Sequence, residues 1–133
     1  MFFKKGISLV EILVATAILL LLAGIAVNTL SLFRKNSDLN VSAERIVSLL
    51  TEARAKTLSS SDASQYGVYF DQNRAVLFRG ASFIEGAQGN DEFLFPVSVE
   101  LSSIALNGGG SSVLFRRLTG ETSEFGTLVL RLR

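Results

Sequence analysis

A continuous apolar segment near the N-terminus constrains this chain of 133 residues more than any other feature. The segment covers residues 7–27 and is interrupted only by Ser8, Glu11 and Thr16. At about 1.5 Å per residue, a helix of this length measures roughly 32 Å, which matches a hydrocarbon core of about 30 Å. The sequence therefore predicts a helix that can span a membrane.

Glu11 places a carboxylate near the start of this span, where a charge in lipid costs about 2.5 kcal/mol or more. A secretory signal peptide would explain the basic residues before the span, and Gly24-Ile25-Ala26 suits a small-x-small cleavage site. The apolar run, however, exceeds the usual signal-peptide core of roughly 7 to 15 residues. A plain membrane anchor is the second alternative. Neither alternative gives Glu11 a role.

The composition restricts the chemistry of the chain, which contains no cysteine and no histidine. It therefore has neither a disulfide framework nor a thiolate metal site, and it lacks the commonest general base. We predict no enzymatic activity, no metal and no cofactor. Once Lys4, Lys5 and Glu11 are set aside, 11 basic and 11 acidic side chains remain in residues 28–133. This balance argues against general polyanion binding by the outer part.

The residues around the start of the span form a motif. Residues 4–11 are Lys4-Lys5-Gly6 followed by Ile-Ser-Leu-Val-Glu. This segment resembles the processing site of type IV prepilins. The resemblance implies that a prepilin peptidase cuts between Gly6 and Ile7, so that residues 1–6 are a leader and Ile7 becomes a methylated N-terminus. The family usually has phenylalanine after the cut, and Ile7 is an apolar departure from that pattern.

The same resemblance gives Glu11 a role as the fifth residue of the mature chain. In this family that glutamate is proposed to meet the free amine of a neighbouring subunit. Opposite charges attract strongly in a low dielectric, whereas either charge alone is costly. The resemblance thus implies that Glu11 sets the register of subunit assembly. The expected partners are other pilin subunits, the prepilin peptidase, the inner-membrane assembly platform and, before assembly, the lipid bilayer.

The expected location is the bacterial inner membrane, crossed once by residues 7–27. Lys4 and Lys5 favour a cytoplasmic N-terminus, although Arg34 and Lys35 beyond the span make the count of basic residues nearly even. The processing site decides the orientation. The globular part is then periplasmic or extracellular, and the subunit enters a filament after processing.

Beyond the span the sequence periodicity predicts an α+β fold. Residues 28–60 continue the helix to about residue 58 as an amphipathic segment, with spacings of three and four between Leu39, Ala43, Ile46, Leu50, Ala53 and Thr57. Residues 61–133 show a period of two. This period predicts a hairpin over 65–79, a half-buried strand over 93–101 and two strands in VLFRRL and GTLVLRLR. The prediction is a long N-terminal helix packed on a small antiparallel β-sheet domain.

The second half of the chain carries a further resemblance. The order EARAKTL, YGVYFD, AVLF, FRRLTGE and GTLVLRL is similar to the globular domain of general secretion pathway protein H, a minor pseudopilin, and of fimbrial T minor pilins. The similarity covers most of residues 45–133. It implies a low-copy initiator or tip subunit of a type IV pilus or of a type II secretion pseudopilus, and the choice between the two machines stays open.

Four arginines near the C-terminus suggest an alternative function. Residues 116–133 contain two acidic residues and four arginines, Arg116, Arg117, Arg131 and Arg133. Arginine can bind phosphate through two hydrogen bonds. Some minor pilins of this kind bind DNA through a basic C-terminal region, so the alternative is DNA capture for natural transformation. The simpler interpretation is a solvated strand rim. Because a C-terminal strand end carries little core, replacing Arg131 and Arg133 is expected to leave the fold intact.

Overall fold

A computed structural model describes residues 6–133, so Lys4 and Lys5 lie outside the described residues. The described part contains one long helix, a single 3₁₀ turn at Ser61–Ala63 and six strands. The elements are α1 (Leu9–Leu58), β1 (Tyr66–Asp71), β2 (Arg74–Arg79), β3 (Asp91–Leu94), β4 (Val99–Leu106), β5 (Ser112–Leu114) and β6 (Gly126–Leu132). The predicted α+β class, with a long N-terminal helix and antiparallel strands, is confirmed.

Helix α1 is 50 residues long and has an acidic residue in its first turn and Lys56 in its last turn. Both charges complement the helix dipole. Its interior contains no proline and only one glycine, Gly24. The helix ends where Ser60 adopts a left-handed conformation with φ of 51°, which cannot continue a right-handed helix. The predicted end near residue 58 is confirmed.

The chain divides into two units, residues 1–34 and residues 35–133. In the first unit every described side chain is exposed. The part of α1 in this unit is long and apolar enough to cross a membrane, judged by length and composition. A helix that is apolar on all sides and has no protein cover fits a lipid environment or a bundle of similar helices.

In the second unit, α1 turns one stripe of side chains towards the strands. The stripe consists of Ser42, Ile46, Leu49, Ala53 and Thr57. The predicted stripe was correct at its centre and C-terminal end but wrong at Ala43, which is exposed, and it missed Ser42 and Leu49. Ser42 can be buried because its hydroxyl donates to the Asp38 carbonyl oxygen at 2.7 Å. A polar side chain therefore occupies a core position that an apolar pattern does not reveal.

The strands form two antiparallel sheets, one in the order β3-β2-β1-β5 and one made of β4 and β6. The predicted hairpin is confirmed as β1 and β2. Gly67 in β1 allows a close approach of β5, since a Cβ atom there would lie 2.6 Å from the Val113 carbonyl oxygen. Residues of both sheets contribute to the core of the second unit.

The prediction of one continuous strand over residues 93–101 is wrong. Residues 95–98 interrupt it, so that β3 pairs with β2 while β4 pairs with β6. Pro96 lacks the N–H that a ladder requires, and the Val99 N–H donates to the Pro96 carbonyl oxygen at 2.8 Å in a tight turn. Val97, which a period of two places on the same face as Phe95 and Val99, is 88% exposed. The predicted strand in VLFRRL is also shorter than expected, because β5 ends at Leu114.

The core of the second unit joins α1 to both sheets. Its most deeply buried side chains include Leu49, Val68, Phe70, Leu77 and Val99. Thr57 connects the end of α1 to the start of β1, because its hydroxyl donates to the Ala53 carbonyl oxygen and accepts the Tyr66 N–H at 2.9 Å. Within the described residues, no buried side-chain nitrogen or oxygen lacks a hydrogen-bond partner.

Candidate functional site

The segment that precedes α1 is exposed and not helical. Gly6, Ile7 and Ser8 come before the first helical residue, and Ile7 is 72% exposed. A Cβ atom added at Gly6 would meet nothing within 4 Å. The described residues therefore do not cover the bond between Gly6 and Ile7, and the glycine is not required by their packing.

Glu11 lies in the first turn of α1, on an exposed surface. The N–H groups of Glu11 and Ile12 both donate to the Ser8 carbonyl oxygen, at 3.0 and 3.2 Å. Within residues 6–133, no basic side chain lies within ion-pair distance of Glu11. The carboxylate is thus available to a cation supplied from outside the described residues.

The first turn of α1 also has the sequence pattern of a helix cap, although the Glu11 N–H donates to the Ser8 backbone carbonyl oxygen and not to its hydroxyl. Ser8 and Glu11 have the spacing of a capping box, in which serine precedes the helix and glutamate or glutamine follows three residues later. A carboxylate in the first turn also interacts favourably with the helix dipole, by about 0.3 to 1 kcal/mol. Glutamine would satisfy the capping pattern without a charge. Capping therefore does not explain an acid in an apolar span.

Arg131 and Arg133, two of the four arginines, are engaged within the protein. Both pair with Glu100, and the Arg133 Nε donates to Glu100 Oε2 at 2.8 Å. The Arg133 guanidinium also donates to Asn73 Oδ1 at 2.7 Å. Glu100 is only 5% exposed, although the strand alternation predicts it on the outer face. The ion pairs attach the end of β6 to β4, and the hydrogen bond to Asn73 attaches it to the β1–β2 turn.

The two guanidinium groups favour the ionised form of Glu100. Hydrogen bonds from Arg133 and then from Arg131 hold the pKa of the Glu100 carboxyl below its ordinary value. Replacing both arginines would leave this carboxylate covered and without a cation, which is destabilising. These ion pairs argue against the expectation that Arg131 and Arg133 can be replaced without effect on the fold.

Arg116 and Arg117 lie apart from that cluster, in the loop that follows β5. Both side chains are exposed. The loop is closed by backbone hydrogen bonds, from the Arg116 N–H to the Glu121 carbonyl oxygen and from the Gly120 N–H to the Arg116 carbonyl oxygen, each at 2.9 Å. Only these two of the four arginines are without a carboxylate partner among residues 6–133. DNA contact would therefore depend first on Arg116 and Arg117.

The acidic side chains of the described part do not assemble into a metal site. No group of three or more Asp or Glu side chains there could hold a metal ion. Asp91 instead pairs with Arg45 at 3.3 Å, and Glu92 pairs with Arg74 at 2.9 Å. These acids serve in ion pairs between elements of the second unit.

Comparison of the chain with protein-family models, with curated proteins and with solved structures gave no match. A functional assignment therefore depends on the residues and geometry described above.

Proposed function

We propose that this chain is a minor subunit of a type IV pilus or of a type II secretion pseudopilus, made as a prepilin and cut after Gly6. The observation that carries the proposal is a carboxylate, Glu11, in the first turn of an apolar helix whose described side chains are exposed up to residue 34. The glycine lies five residues before this carboxylate and follows two lysines. A signal peptide would account for the lysines, but neither a signal peptide nor a plain anchor requires the glycine or the carboxylate.

Cleavage would change the charges at the start of α1. Hydrolysis of the bond after Gly6 releases residues 1–6 and gives Ile7 a free, cationic amino group. This amine and Glu11 are four residues apart, and in a staggered bundle the amine of one subunit can meet the carboxylate of the next. Pairing neutralises both charges in a lipid-like interior, where either charge alone is costly. Only one stagger satisfies both groups, so the pair selects the register.

The two units of the chain would then have different functions in the filament. The apolar part of α1 moves from the inner membrane into the bundle at the centre of a filament, where similar helices replace the lipid. The second unit selects the neighbouring subunits through its outer surface. The protein acts by association, with the prepilin peptidase and the assembly platform as its transient partners.

Cleavage can be tested by substitution at the proposed site. In cells that contain a prepilin peptidase, Gly6→Leu should block the loss of residues 1–6, because a bulky side chain replaces the residue on which the cut depends. Gly24→Leu is the matched control, since a Cβ atom at either glycine meets nothing within 4 Å. The control should be cut as in the parent chain, and the shift in mass of the membrane protein reports the result. Equal cleavage of both variants would contradict the proposal.

A further inference from the structure

Strand β6 has a free edge. It pairs only with β4, in a two-stranded sheet. The Arg133 N–H donates to the Ser98 carbonyl oxygen and the Asn107 N–H donates to the Phe125 carbonyl oxygen, so the odd-numbered residues of this stretch turn their backbone groups towards β4. Backbone N–H and C=O groups alternate in direction along an antiparallel strand. The groups that point away from β4 are therefore those of Gly126, Leu128, Leu130 and Leu132. Within residues 6–133, these outward groups have no backbone partner in another element.

A groove of about 510 Å³ lies beside this edge, between α1 and β6. Ala43, Val47 and Leu50 line it from the helix, and Leu128 and Leu130 line it from the strand. Val47 is 62% exposed. No charged side chain lines the groove. An added strand beside β6 would lie over these helix residues and turn alternate side chains towards them.

We propose that β6 accepts an additional strand, supplied by an extended, uncharged segment of a neighbouring protein subunit. The proposed function is needed only to identify this neighbour as a subunit of the same filament. A row of alternating backbone donors and acceptors is matched by a strand and not by a helix, whose backbone groups bond internally. The uncharged lining fits apolar side chains at alternate positions, because a charge buried there would have no partner.

Strand β6 carries neither lysine nor proline, two of the usual barriers to strand addition. Natural sheets cover such edges or place lysine or proline in them. Arg131 within the strand and Arg133 directly after it are both paired with Glu100. We therefore infer that a strand of a partner subunit covers the free edge of β6.

Photo-cross-linking in the full-length chain tests the proposal in its native membrane. The cross-linking residue replaces Asn40, which is exposed and lines the groove. Val41 is the control position, because it is exposed on the same helix and does not line the groove. The expected product joins residue 40 to an extended, uncharged segment of another polypeptide, mapped by mass spectrometry of the cross-linked peptides.

The edge itself is tested with Leu128→Pro. The Leu128 N–H turns away from β4, so proline spares the β4 ladder but removes an outward donor. Leu128→Ala loses the same packing and keeps the N–H. Cross-linking should fall by about tenfold in the proline variant relative to the alanine variant. Val47→Glu should reduce it similarly by placing a charge in the groove, whereas Val41→Glu should not, and neither exposed position risks the fold.

Several outcomes would overturn the proposal. They are a product with a second copy of this chain, a product with lipid alone, equal products from positions 40 and 41, and a product insensitive to Leu128→Pro and Val47→Glu. The mass of the same samples reports the cut after Gly6. A cut chain without the expected product would refute strand addition alone, whereas an uncut chain with that product would refute the proposed function alone.

Discussion

Replacing Glu11 with alanine should abolish incorporation of the protein into a filament, while membrane insertion remains at least as efficient as in the parent chain. Insertion should not suffer, because removal of a carboxylate from the span removes a cost of about 2.5 kcal/mol or more. Assembly should fail, because the proposed partner of Glu11, the Ile7 amine of the neighbouring subunit, would remain unpaired in the bundle. Breaking one side of a buried ion pair costs about 3 to 5 kcal/mol, more than a hundredfold in an association constant.

The measurement compares the amount of protein in sheared or affinity-isolated filaments with the amount in the membrane fraction. Glu11→Gln is the second variant to measure, since glutamine keeps the capping pattern with Ser8 and removes only the charge. Thr16→Ala, a polar-to-apolar change further along the same span, is the control and should assemble normally. If Glu11→Gln assembles as well as the parent chain, the carboxylate is a helix cap and does not set the register.

Replacing both Arg131 and Arg133 with glutamine should lower the thermal unfolding midpoint by several degrees at neutral pH, because Glu100 would remain covered without a cation. The same double replacement at Arg116 and Arg117 is the control. Those side chains are exposed, and their replacement should leave the midpoint unchanged. Thermal unfolding of the full-length chain in detergent, followed by circular dichroism, gives both values.

The pH dependence of stability tests the same cluster. Because its arginine partners lower the pKa of Glu100 in the folded state, ionisation of this group favours the folded state. Its contribution is fully present above the pKa of an unfolded glutamate, about 4.3, and is lost as the pH falls through the lower folded value. The parent chain should therefore lose stability below about pH 4.3. The Arg131/Arg133 variant should lose less over that range, and an unchanged midpoint and pH profile would contradict the structural role of the cluster.

Local patterns in the sequence predicted most of the elements. The β1–β2 hairpin and β6 follow from a period of two over short stretches, and α1 follows from a long proline-free segment. The interruption at residues 95–98 was missed, since the alternation continues across Pro96 although the proline cannot join the ladder. The division into two sheets depends on pairing between distant strands, which periodicity does not encode.

In the candidate site, too, the sequence reveals residues that are close along the chain but not contacts between distant residues. Gly6, Ile7 and Glu11 are close together in the sequence, so their motif is visible without a structure. Glu100 and its arginines are separated by 31 and 33 residues, and only strand pairing brings them together. The free edge of β6 could not be predicted either, because it depends on which strands the chain leaves unpaired.

The proposed function requires that the mature protein begins at Ile7. Intact mass measurement and N-terminal peptide sequencing of the protein from its own membrane report where the mature chain starts. We expect the loss of residues 1–6 and a methylated amino group on Ile7. A protein that retains Met1 would indicate a plain membrane anchor, and a new N-terminus near Val27 would indicate a signal peptide. Either of these results would refute cleavage after Gly6.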